Sequence, residues 1–243
     1  MADFKTHIFV ASPLSGLAAT SLLVARMATP REVVLYFLLG SIGGILPDID
    51  SDTSIPVRLT FNFLAPVIAF LIMFAQGSYS VIELLLIWLT SFLIVKYCVF
   101  SFFTHLTVHR GVIHSIPAGV LFWFLTNILF YRVFGFSSFN AWMAGFFVFF
   151  GYIIHLVLDE LNSLNLLGSH VKNSLGTALS LVKFNDLKTT ILLYLAVIAL
   201  FYLNPDPQPF FDKILNKNVY LHIRFFPQGQ WFQDLFKSLI ELA

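Results

Sequence analysis

The sequence predicts an all-α, polytopic integral membrane protein of about seven transmembrane helices with short interfacial helices. Composition is the first reason. Of 243 residues, 58% are hydrophobic and 11% charged, whereas a soluble domain carries about 25% charged and about 45–50% apolar residues. With 29 phenylalanines and a mean hydropathy of +0.84, the chain cannot cover itself with a polar surface, so lipid must be its solvent. The second reason is a series of apolar runs long enough to cross a bilayer. The third is that His and Asp residues gather at the ends of those runs.

A spanning helix needs about 20 mostly apolar residues, or about 17 at the short end. The first candidate, His7–Met27, is interrupted by Ser12, Pro13, Ser15, Gly16, Thr20 and Ser21. Lys5 is the only early cation, so this run reads as a retained, protein-facing helix and not a cleaved leader. Val33–Leu46 and Phe61–Ala75 are short and read as tilted, or as extending into their flanks. Val81–Phe103, Val112–Phe134, Ala141–Leu158 and Leu187–Leu203 complete the set. Pro30, Pro47, Pro56 and Gly77 punctuate the connections.

Between Leu161 and Asp186 the chain is more polar. Val171, Leu175, Leu179 and Val182 recur there near helical spacing, beside Lys172, Asn173 and Lys183, the pattern of a helix lying in the interface. PDPQP after Asn204 ends the last span. The division is a helical membrane domain carrying the site, residues 1–204, and a C-terminal amphipathic tail, residues 205–243. In the tail Trp231, Phe232, Leu235, Phe236, Leu239 and Ile240 form an apolar stripe. The single cysteine, Cys98, cannot form an intramolecular disulfide. A net charge of +1 makes no electrostatic case for nucleic acid.

Polar residues with chemistry fall at four places: His7; Asp48, Asp50 and Asp52 in PDIDSD; His105, His109, Arg110 and His114 in HLTVHRGVIHS; and His155 and Asp159 in HLVLDE. These lie before the first span and after the second, fourth and sixth. An even number of crossings separates them, so all four emerge on one face. The connections on the other face, ATPRE, QGSYS and GFSSFN, read as plain turns. Ionisable residues at membrane depth cost at least about 2.5–3.5 kcal/mol each and usually mark function.

His and Asp suit zinc, manganese and iron. His155 and Asp159 stand at i and i+4, one above the other on a helix face. Asp48, Asp50 and Asp52 alternate, and in an extended loop they point to one side. Gly111 lets the HRGVIH turn bend, bringing His109 and His114 toward the same centre. With His7, these residues predict a centre for divalent transition metal, zinc first, with room for two or more ions. Such a centre activates water and clamps the oxygens of an in-line phosphoryl displacement. Arg110 suits a phosphate through paired N–H donors, and Asp52, the acid least needed as a ligand, is the candidate base.

Each motif taken alone has a plainer reading. HxxxD is also a capping or packing pair, PDIDSD a helix terminator, and HRGVIHS a basic turn anchoring headgroups. His105 reads as structural, and His170 and His222 as surface residues. The plainer readings do not predict convergence.

At these residues the sequence resembles the YdjM-type inner-membrane-associated predicted metal-dependent hydrolases. The marks are Thr6–His7, the glycine-containing run into PDIDSD, HRGVIHS, HLVLDELNS, and GTAL at Gly176–Leu179. The resemblance covers the chain from its start to about Val182. It implies a membrane-bound hydrolase whose ligands come from these motifs. A distant similarity to the zinc phospholipase C and P1 nuclease group, helical enzymes with clustered zinc and an HxxxD helix, implies phosphoester chemistry. In a membrane this points to a phospholipid or lipid-linked substrate.

The expected function is therefore a metal-dependent hydrolase of the inner membrane. The alternatives are a non-enzymatic metal-binding protein, transporter or scaffold, and a metal-free type-2 lipid phosphatase. The last lacks a PSGH stretch and a Ser-Arg pair before HxxxD. Lysines and arginines are nearly balanced between the two faces, so charge does not orient the chain.

Overall fold

The structure, a computed structural model, describes residues 4–50, 65–66, 69, 80–99, 112–163, 179–182 and 186–221. Every regular element among them is helical. These are α1 (Phe4–Val24), α2 (Pro30–Gly43), a 3₁₀ turn (Leu46–Asp50), α3 (Val81–Leu93), α4 (Ile116–Ile128), α5 (Ser138–Ser163), α6 (Leu187–Leu203), α7 (Gln208–Ile214) and α8 (Lys217–Tyr220). α3 and α4 continue through π-helical turns, Ile94–Val99 and Leu129–Val133.

Local chemistry sets the ends. α1 closes where Arg26 takes the left-handed conformation, φ 57°. α2 opens on a capping box: the Glu32 carboxylate accepts from the Thr29 backbone N–H at 2.7 Å, and the Thr29 hydroxyl accepts from the Glu32 N–H at 3.4 Å. Ser80 and Glu83 repeat the device at α3. Asp186 caps α6 through the Thr189 N–H.

α5 is the central helix and packs against α1, α2, α4 and α7. Trp142, Met143 and Phe147 of α5 bury against Tyr36 of α2, Phe124 of α4 and Phe130 of the π turn that follows α4. Toward the other end of α5, Tyr152 and Leu156 pack on Ala118 and Leu121 of α4 and Leu193 of α6. α2 reaches the backbone of α5 because small residues line the crossing. A Cβ at Gly43 would fall on the Val148 carbonyl, and one at Gly151 on the Gly40 carbonyl. This is the close approach that small residues permit between membrane helices. Outward faces carry bare apolar side chains, among them Ile82, Leu85 and Leu86 on α3 and Ile191, Leu195 and Ile198 on α6. Such faces suit acyl chains.

The number of crossings departs from the seven expected. Among the described residues three helices are long and apolar enough: Lys5–Val24, Ile116–Val133 and Ser138–Asn162. The pair Leu187–Leu203 and Gln208–Ile214, bent by 92°, makes a fourth if counted as one span. α2 has 14 residues, about 21 Å of helix, against a hydrocarbon core of about 30 Å. α3 is regular for 13 residues before its π turn. The expected span Phe61–Ala75 falls almost wholly outside the described residues, as do Val171 and Leu175 of the expected interfacial helix and all of the Trp231–Ile240 stripe; Leu179 and Val182 are described, and the chain there is turn and coil, not helix.

The break at PDPQP is present. α6 ends at Leu203 and the chain turns back, with the Trp142 indole N–H donating to the Pro205 carbonyl at 3.0 Å. Phe210 of α7 is then buried against Trp142, ring centroids 5.8 Å apart.

Candidate metal centre

Four segments meet at one end of the bundle. His7 lies in the first turn of α1 and Asp48 on the 3₁₀ turn beyond α2. His114 stands just before α4, and His155 and Asp159 lie near the C-terminal end of α5. Two of these helices start here and two end here, so an antiparallel bundle brings together residues far apart in sequence.

Asp159 turns its two oxygens to different imidazoles. Oδ1 is 3.4 Å from His7 Nε2. Oδ2 is 3.4 Å from His155 Nε2 and 3.8 Å from His114 Nε2. On the far side of His155, Asp48 Oδ1 lies 3.6 Å from the same Nε2. Two overlapping triads result, His7–His155–Asp159 and Asp48–His114–His155, each with donor atoms within 4.8 Å of one another. The first triad is buried, with His7 and His155 at 0% and Asp159 at 5% exposure. The side chains of Asp48 and His114 are more open, at 19% and 11%.

Second contacts hold the ligand orientations. His155 Nδ1 lies 2.8 Å from the Gly44 carbonyl. A carbonyl only accepts, so Nδ1 carries the proton and Nε2 presents a lone pair toward the carboxylates, as in metal-ligating histidines. Gly44 lies where it does because α2 seats directly on α5. The His7 ring stacks on that of His155, centroids 3.6 Å apart and 14° between planes. The turn bearing His114 is fastened by the Tyr152 hydroxyl, which donates to the Ile113 carbonyl.

The residues fit a divalent cation. Separations of 3.4–3.8 Å are long for hydrogen bonds. The two shortest, from His7 and His155 to Asp159 at 3.4 Å, equal the edge of a tetrahedron of ligands around zinc, about 3.4 Å for bonds near 2.1 Å. His7 Nδ1 and Nε2 and His155 Nε2 are buried without a hydrogen-bond partner among the described residues. Leaving such a group unsatisfied costs about 1–3 kcal/mol, and a cation among these donors supplies a partner for the Nε2 atoms. The donor set, imidazole and carboxylate, is one that zinc, manganese and iron accept.

Of the sequence candidates, His7, Asp48, His114, His155 and Asp159 are brought together. Asp50 lies on the 3₁₀ turn, but its side chain is outside what the structure describes, as are Asp52, His105, His109, Arg110, His170 and His222. Sequence reasoning missed two contributors, the Gly44 carbonyl and Tyr152. The signals were there: Gly43-Gly44 just ahead of the PDID motif, and a tyrosine at i−3 from His155.

A family model described as YdjM inner membrane protein matches residues 1–170, a stretch containing all five converging residues. No curated protein and no solved structure matches.

Proposed function

The chain belongs to the YdjM inner membrane protein family, and from that premise we propose that it is a membrane-embedded metal-dependent hydrolase acting on a phospholipid or lipid-linked phosphoester. Its location is the inner membrane. The observation that carries the reading is the buried His7–His155–Asp159 triad, whose Nε2 atoms have no hydrogen-bond partner among the described residues and face one carboxylate. A divalent ion bound there supplies Lewis acidity and acidifies water.

His155, His7 and Asp159 would hold an ion at the inner position, and Asp48 and His114 would serve the more open one. With Nδ1 committed to the Gly44 carbonyl, His155 would offer a single nitrogen, Nε2, to an ion. Asp159 faces histidines of both positions, its Oδ1 toward His7 and its Oδ2 toward His114. Arg110 binds the phosphate and Asp52 takes the proton from the attacking water; both roles rest on their places in the sequence motifs. Donors at helix ends favour surface chemistry over transport, which calls for ligands near the midplane on broken helices.

The test is elemental analysis of detergent-purified protein, followed by assay against phospholipids and lipid-linked diphosphates. Bound zinc with turnover supports the reading. Bound metal with uptake into vesicles and no turnover replaces it with transport.

A further inference from the structure

We infer that Tyr152 is a positioning residue of the metal centre, acting through His114; the inference rests on the metal-dependent reading above. Tyr152 is fully buried on α5, one turn before His155. Its hydroxyl leaves the helix and donates to the Ile113 carbonyl, next to His114 in the chain. The ring reaches that far because α4 leaves a slot. A Cβ on Gly119 would come within 2.9 Å of Tyr152 Cδ1. Phe122 closes the slot, its ring centroid 5.8 Å from that of Tyr152.

The turn that Tyr152 grips has little freedom left. The Ser115 N–H also donates to the Ile113 carbonyl, at 2.7 Å, and the Ser115 hydroxyl donates to the Val112 carbonyl. The Ile116 N–H reaches the Ser180 carbonyl at 3.2 Å. The Tyr152 bond ties the backbone of this turn to the helix carrying His155 and Asp159. It therefore sets where His114 Nε2 stands relative to Asp159 Oδ2, 3.8 Å away. His155 makes the matching contact on the other flank, to the Gly44 carbonyl ahead of Asp48. One face of α5 thus registers both neighbouring loops, each by a bond from a side chain to a backbone carbonyl.

The test titrates zinc into metal-stripped, full-length protein in detergent and records cobalt(II) visible spectra. The proteins are wild type, Tyr152→Phe, His114→Ala and the double variant. Tyr152→Phe keeps the ring in its slot and removes one oxygen. We expect zinc affinity to fall roughly 10- to 100-fold, the range for lost supporting contacts, with a changed cobalt spectrum. The double variant should bind no more weakly than His114→Ala, because the effect passes through His114. A purely structural tyrosine would lower the melting temperature of the stripped protein and leave zinc affinity and spectrum alone. That result, or full additivity in the double variant, overturns the inference while leaving the metal centre standing. If Tyr152→Phe does not fold, Gly119→Ala displaces the ring instead, and wild-type zinc affinity there overturns it equally. A wild type that binds neither zinc nor cobalt removes the centre itself, and the inference with it.

Discussion

The imidazole of His7, from the first turn of the chain's first helix, lies face to face with that of His155, centroids 3.6 Å apart. Each ring therefore has two roles, filling space beside its neighbour and presenting nitrogen to Asp159. Substitution separates them.

His7→Phe keeps an aromatic ring in the stack and deletes both nitrogens. It should preserve folding and lose at least one bound ion by elemental analysis. His155→Ala and Asp159→Ala should also lose metal. Stripping the wild type with a chelator should lower its melting temperature, since a ligand at a thousand times its Kd contributes about 4 kcal/mol. The same treatment should not affect Asp159→Ala. Unchanged metal content in all three variants would make the cluster a packing feature.

Gly43→Ala should be among the most damaging single-methyl changes in the bundle. Its Cβ would fall on the Val148 carbonyl, backbone that cannot step aside, whereas Gly16→Ala meets only the Phe37 ring edge at 3.5 Å. Overpacking costs about 1–3 kcal/mol, sometimes more. Thermal unfolding in detergent should show a clear loss for Gly43→Ala and near wild-type behaviour for Gly16→Ala. Because Gly43 adjoins Gly44, the damaged variant should also bind zinc less tightly.

Arg110→Lys tests the chemistry apart from the ligands. Lysine keeps the charge but not the planar fork that makes two parallel bonds to phosphate. Metal content should hold, and phosphodiester hydrolysis should slow roughly ten- to a thousand-fold, corresponding to about 1.4–4 kcal/mol in the transition state. Full activity would place Arg110 at the interface as an anchor, a role lysine fills by snorkelling.

Single cysteines at Ser54, Gly111 and Ser163, in a Cys98→Ser background, should all react from the same side of the membrane with an impermeant thiol reagent. Labelling from opposite sides would contradict a shared site face.

The sequence was most informative where chemistry and periodicity coincided. HLVLD on a helix put His155 and Asp159 on one face. His7, Asp48 and His114 were expected at that same end from a count of seven crossings, of which the described residues show three or four, so their convergence there stands on the bundle's packing and not on the count. Their meeting in space follows from the antiparallel packing of α1, α2, α4 and α5. Length was harder to read. Val33–Leu46 is apolar enough to suggest a span, yet helix α2 stops at Gly43. The fixed tautomer of His155 was not legible, because its partner is a backbone carbonyl, and every residue has one. The return of Phe210 into the core was hidden for a related reason: after PDPQP nothing in the pattern says that the chain turns back.

The five converging residues are drawn from nearly the whole span between His7 and Asp159, and this has a consequence for biogenesis. On the metal-dependent reading, the segments made first, α1 and α2 with the turn beyond, bring two of the five donors, His7 and Asp48, and the other three follow much later in the chain. On that reading, capture of an ion would wait until α5 has been made and docked, and loading would double as a report that four segments have found their places. A chain whose α5 is mis-seated should then remain without metal and stay open to membrane proteases. Cells short of the metal should then contain less of this protein, and not merely a less active form of it.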